Sequence, residues 1–151
     1  MRGRTASLRP AGTRTARPRM ALPVRTVVGP GGQNKILISP GSKLNKEDYE
    51  KVSGITDIVA PNLLHAAGVP KALSYFPKAR TWAAPGLKIS RSDISWTGEL
   101  NEGQWPYIKE LPFLYLRGAP KVNEVVFFHP QSRSLIVCDF GFNISNIKGR
   151  G

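Results

Sequence analysis

The sequence predicts an α/β domain, and three observations carry that prediction. Short apolar runs with strand character alternate with helix-capping signals through the first half of the chain. Proline and glycine close each run on the carboxyl side, as at Pro40-Gly41, Pro61 and Pro85-Gly86. Two apolar runs near the end flank the four-residue loop Pro130-Gln131-Ser132-Arg133, the pattern of an antiparallel hairpin.

Leu22–Val28 alternates weakly and is rich in β-branched residues, so it reads as a strand. Gly29-Pro30-Gly31-Gly32 is a turn cluster, and Lys35–Ser39 returns as a second strand. Asn45 is placed to cap a helix over Lys46–Val52, with Glu47 and Asp48 in the favourable first turn and Gly54 as its stop. Lys43, Lys46 and Lys51 then form a solvated face. Thr56–Ala60 is a short apolar strand that Pro61 ends by removing a backbone donor. The loop 62–68 leads to Pro70, which suits the first turn of a helix reaching about Phe76. Arg80–Ala84 is the next strand.

Residues 88–112 are irregular, with Trp96, Trp105 and Tyr107 set among glycines and polar residues. They read as a surface loop with aromatic anchors into the core, the alternative being a stacking platform for a ligand or bases. Phe113–Leu116 is a strand, and Glu124–His129 and Ser134–Cys138 make the hairpin. Their continuous apolar runs predict that both faces are covered.

The chain of 151 residues has room for one ordinary domain. Its 40 % hydrophobic content supports a packed core. No apolar run reaches the ~18 residues of a membrane span, so no membrane partner is expected. One cysteine, Cys138, excludes a disulfide framework and reads as a small core residue, and two histidines are too few for a histidine-rich metal centre. No G-x-S-x-G stretch marks a serine nucleophile, and the glycine cluster lacks the Lys-Ser/Thr ending of a phosphate loop.

Of the formal charge of +12, half lies in residues 1–20, which hold six arginines and no acid; the remainder holds 16 basic and 10 acidic residues. This leader, rich in Arg, Thr, Ala, Gly and Pro, cannot bury apolar surface and is expected to be disordered. It fits translated sequence upstream of Met20, an organelle transit peptide, or a nucleic-acid-binding arm. The corresponding compartments are the cytoplasm and, through the leader, the mitochondrial or plastid matrix.

The hairpin has a geometric consequence. Pairing His129 with Ser134 sets Glu124 opposite Asp139, with Cβ atoms ~5 Å apart. Two facing carboxylates need a cation, a shared proton or a strong donor. His129 lies ~16 Å along the strand from Glu124 and is excluded from that site. Asp139 and His65 both follow the carboxyl ends of apolar strands, the edge at which α/β sheets collect ligands. His65, Glu124 and Asp139 are therefore the candidate constellation, one that reads either as satisfied polar residues or as metal ligands.

These residues also carry a resemblance. "KILISP", "DIVAPNLLHAAG", "YFPKARTWAAPGL" and "NEVVFFHPQSRSLIVCDFGFN" occur in that order. Together they resemble a branch of the metallo-β-lactamase-fold superfamily in which a P-N-L-L-H-H-like sequence replaces the H-x-H-x-D-H metal loop. The resemblance spans roughly residues 21–145. It implies a partial αββα sandwich with a metal site at one sheet edge. Pro61 and Leu63 stand where two metal-binding histidines would be, His65 at the aspartate position and Ala66 at the final histidine. Asp139 matches the bridging aspartate, while Glu124 lies near another ligand-bearing loop.

A dinuclear zinc hydrolase uses about five protein ligands. At most three are available here, so the resemblance implies a degenerate domain with little or no catalysis. The alternatives are a metal-dependent hydrolase using a reduced His65/Glu124/Asp139 site and a basic nucleic-acid-binding protein. The first alternative implies one divalent ion, zinc or a harder ion such as manganese or iron. The chain ends soon after Asp139, so the superfamily's second half is expected to be incomplete. An apolar sheet face is then left for a homodimer or a protein partner to cover.

Overall fold

The computed structural model describes residues 25–28 and 33–141; the Arg-rich leader, the Gly29–Gly32 turn and residues 142–151 lie outside the described residues. The elements run β1 (Arg25–Val28), β2 (Lys35–Ile38), α1 (Lys46–Glu50), β3 (Ile55–Ala60), α2 (Val69–Tyr75) and β4 (Arg80–Ala83). After these come α3 (Leu87–Ser90), β5 (Gly98–Glu99), β6 (Phe113–Tyr115), β7 (Val125–His129) and β8 (Ser134–Ile136). The architecture is mixed α/β, as predicted.

Strands β1 to β5 form one sheet in sequential order. The β1–β2 pair is antiparallel, whereas β2–β3, β3–β4 and β4–β5 are parallel. Each parallel step needs a crossover, and α1, α2 and α3 with its loop supply them. Strands β6, β7 and β8 form a second, antiparallel sheet.

Alternation along the strands sorts the core into two. Leu37, Ile58, Ala60 and Ala83 point to the helical side and pack with Tyr49 of α1, Val69 and Ala72 of α2, and Leu87 of α3. Ile36, Ile38, Val59 and Trp82 point the other way and meet Val125 and Phe127 of β7. The layers are therefore helices, first sheet, second sheet. Trp105 and Tyr107 from the irregular segment fill the space between the sheets, so these rings act as core anchors. That segment also contains α3 and β5, which periodicity alone does not reveal, because neither is long enough to show a repeat.

Local chemistry explains the boundaries. Asn45 Oδ1 accepts from the Asp48 N–H and Asp48 Oδ2 accepts from the Asn45 N–H, both at 3.0 Å, a reciprocal cap. Helix α1 ends at Glu50, two residues before the predicted Val52, because the Val52 N–H turns to the Tyr49 carbonyl and tightens the last turn. Gly54 follows at φ +75°. Gly68, just before α2, admits the Pro40 backbone so closely that a Cβ there would stand 1.9 Å from the Pro40 oxygen.

The predicted coverage of the final hairpin holds in part. Val125 and Phe127 on the inner side and Val126 between them are buried, whereas Phe128 and Leu135 are exposed, as is Leu114 on β6. Among the described residues no helix lies over that outer face, so alternation along the strands sends these side chains to solvent.

Between the sheets lies a fully buried carboxylate. Asp57 Oδ1 accepts from Trp82 Nε1 at 2.8 Å and forms an ion pair with Arg80 Nε at 3.0 Å. Its Oδ2 accepts from Tyr107 Oη and Thr56 Oγ1, each at 2.7 Å, and from Arg80 Nη2 at 3.1 Å. Removing it strands a buried indole donor and separates Arg80 from its counter-charge. Asp57→Ala is expected to lower the unfolding free energy by about 3 kcal/mol in urea titrations. Burial, reinforced by the hydrogen bond to Asp57, pushes the Tyr107 phenol up to about 12. The folded state thus holds this proton more tightly than the unfolded chain, whose tyrosines titrate near ~10. That contribution is complete below pH ~10 and is lost as the pH rises through about 12. Burial raises Tyr49 and Tyr115 in the same direction. Urea titrations across this window should therefore show falling stability, with a shallower fall in Tyr107→Phe.

Candidate functional site

The carboxyl ends of β2 and β3 lie side by side, followed by Ser39 and by Pro61-Asn62 respectively. After β2, the Ser39 N–H donates to the Val59 carbonyl at 2.8 Å, which extends the parallel ladder by one bond. Ser39 then takes φ +53°, a left-handed conformation that side-chain-bearing residues seldom adopt. After β3, Pro61 has no N–H, and its carbonyl accepts from Val125 N at 2.7 Å. The Leu63 N–H donates to the Val122 carbonyl at 2.9 Å. These two bonds fasten the end of β3 to the start of β7.

Asn62, fully buried, organises the loop. Its Oδ1 accepts from the N–H groups of Leu64 at 3.0 Å and His65 at 2.9 Å, a local turn for which asparagine is suited. Its Nδ2 donates to Asp139 Oδ2 at 2.8 Å and lies 3.4 Å from Glu124 Oε2. Asn62 is thus the strong donor that the two carboxylates were expected to need.

Glu124 is 2 % exposed, and backbone donors surround its carboxylate. Oε1 accepts from Cys138 N at 2.6 Å, and Oε2 accepts from Asp139 N at 2.8 Å and Phe140 N at 3.1 Å. The predicted pairing of His129 with Ser134 is present. The cross-strand pairing of Glu124 with Asp139 is not, because β8 ends at Ile136 instead of Cys138. Past that point the chain turns three successive amides onto Glu124, forming a small anion cradle.

His65 completes the cluster. Its Nε2 lies 3.3 Å from Asp139 Oδ1 and 3.2 Å from Oδ2, and its Nδ1 lies 2.5 Å from Ser39 Oγ. An ionised carboxylate only accepts, so Nε2 carries the proton toward Asp139, and in the neutral ring Nδ1 then accepts from the Ser39 hydroxyl. His65, Glu124 and Asp139 are therefore brought into one neighbourhood, as the sequence suggested. His129 is elsewhere and pairs with Ser132 Oγ at 2.6 Å.

A three-ligand metal set does not fit this arrangement. Both Glu124 oxygens are taken by amide donors, one Asp139 oxygen is taken by Asn62, and His65 Nε2 is turned to Asp139. Among the described residues no group of three or more His, Cys, Asp and Glu side chains is disposed to hold an ion. Sequence reasoning missed two members, Asn62 and Ser39. For Asn62 a signal existed, an asparagine directly after a strand-ending proline. Ser39 lies in Ile-Ser-Pro-Gly, which looks like an ordinary strand end and lacks the glycine spacing by which serine nucleophiles are recognised.

No protein-family model matches this sequence, and no curated protein matches it either. No helix among the described residues is long and apolar enough to cross a membrane.

Glu124→Gln keeps the shape but replaces one acceptor oxygen with a donor that confronts a backbone N–H. The loss expected is about 1–3 kcal/mol of unfolding free energy in urea. A change within about 0.5 kcal/mol, the usual range at an uninvolved surface position, would show that the amide cradle contributes little.

Proposed function

We propose that this chain is a metallo-β-lactamase-like domain whose metal loop has become a hydrogen-bonded polar junction, and that it has lost metal-dependent hydrolysis. The four ordered sequence motifs support the kinship. So does the layering of helices on a first sheet and that sheet on a second, which fits part of an αββα sandwich. The observation that carries the loss is the state of Glu124, whose carboxylate is occupied by the amides of Cys138, Asp139 and Phe140. A group so placed must abandon several hydrogen bonds before it can ligate an ion, and a buried carboxylate gives up such donors at high cost.

One observation favours a second reading. His65 and Asp139 are adjacent, at 3.2 Å, and would form the nucleus of a reduced site in a metal-dependent hydrolase. Elemental analysis of full-length protein purified without chelators separates the two. An ion at 100 times its Kd adds ~2.7 kcal/mol to folded-state stability. The degenerate domain should carry far less than one equivalent of metal and show no rise in Tm with zinc or manganese. Stoichiometric metal that disappears in Asp139→Ala would establish the reduced-site hydrolase instead.

A further inference from the structure

We propose that Ser39, His65 and Asp139 form a metal-independent nucleophilic site for small activated carboxylic esters with an apolar acyl group. This goes beyond the loss of metal-dependent hydrolysis by giving the rebuilt junction a chemistry of its own.

The geometry places a nucleophile, a base and an orienting carboxylate in one row. Ser39 Oγ lies 2.5 Å from His65 Nδ1, and His65 Nε2 lies 3.2 Å from Asp139 Oδ2. Such a row is recognised by roles and distances, on whatever fold it occurs. Each member is held from behind. Asn62 Nδ2 donates to Asp139, while Glu124 grips the Asp139 N–H. Asn62 Oδ1 fixes the His65 backbone. Ser39 is held by its ladder bond to Val59, and Pro40 by the close approach of Gly68.

Ser39 itself supplies an independent observation. It is a non-glycine residue at φ +53° on the carboxyl end of a parallel strand. A strained turn there lifts a side chain above the sheet edge, and strained backbone gathers at sites of chemistry. The row is also reachable, since the side chains of His65 and Asp139 are 35 % and 29 % exposed. Leu64 and Phe140, the chain neighbours of His65 and Asp139, are largely exposed apolar side chains. Apolar side chains at the chain positions next to two members of the row make an apolar acyl group the matching class.

The reaction balances without a cofactor. Ser39 Oγ bonds to the acyl carbon as its proton passes to His65 Nδ1, and Asp139 stabilises the imidazolium through Nε2–H. The ester C–O bond then breaks, and Nδ1 returns the proton to the leaving alcohol. Water next gives a proton to Nδ1 and attacks the acyl-Ser39, and collapse restores the Ser39 hydroxyl and releases the carboxylic acid. Activated esters are the matching class because their leaving groups depart with little further assistance.

The test uses full-length protein in EDTA, with p-nitrophenyl butyrate as substrate and a fluorophosphonate as covalent probe. The expected result is one adduct per chain on Ser39 by peptide mass mapping, with EDTA-resistant hydrolysis. His65→Gln should slow both labelling and hydrolysis by ~10²-fold or more, the usual yield of general-base assistance. Ser39→Gly, which accepts positive φ and so retains the fold, should take no label. Absence of a Ser39 adduct on the wild-type protein, or equal labelling of His65→Gln, would overturn the proposal while leaving the metal-free reading intact. Hydrolysis abolished by EDTA would overturn both.

Discussion

The Glu124 carboxylate is the group on which the rest of the arrangement depends. It sits almost wholly out of water at the start of β7 and accepts the N–H groups of Cys138, Asp139 and Phe140. Burying an anion is unfavourable unless strong donors replace its hydration, and three aligned amides do so here. In satisfying Glu124, the chain beyond β8 is bent into a tight course that presents Asp139 to Asn62 and His65. One carboxylate thereby sets the position of the other.

The two sheets meet at the same place. Bonds from Val125 N to the Pro61 carbonyl and from Leu63 N to the Val122 carbonyl tie the end of β3 to the start of β7. Asn62 sits between them, using its oxygen on its own loop and its nitrogen on the second sheet. Further in, Asp57 does for the core what Glu124 does for the edge, collecting Trp82, Arg80, Tyr107 and Thr56 around one buried charge. The interior and the polar edge are thus built from the same device, a buried carboxylate saturated with donors, and at the edge the imidazole of His65 and the carboxylate of Asp139 stay partly open to solvent.

Much of the fold was legible because its signals are local. Asn45 announces α1, Pro61 closes β3, and the loop 130–133 sets the His129–Ser134 register. The neighbourhood of His65, Glu124 and Asp139 was legible only in part: strand ends bring His65 and Asp139 to one edge, whereas Glu124 meets Asp139 through the amides of residues 138–140 and not through the expected cross-strand pair. What escaped depends on tertiary contact. The early end of β8 follows from the pull of Glu124 on backbone amides, which no spacing rule encodes. Ser39 acquires its role only when β3 lies beside β2 and brings His65 within reach. Phe128 and Leu135 look like core residues in sequence, and their exposure follows from which side of the second sheet is covered.

The central claim is that His65 is committed to two hydrogen bonds within the chain, to Ser39 and to Asp139, and not to an ion. Nitrogen-15 NMR of the His65 ring, recorded before and after addition of zinc, reads this directly. The account predicts a protonated Nε2 and an unprotonated Nδ1, with both signals unmoved by the metal. A ring protonated at Nδ1, or an Nε2 signal displaced to a metal-bound position, would contradict it.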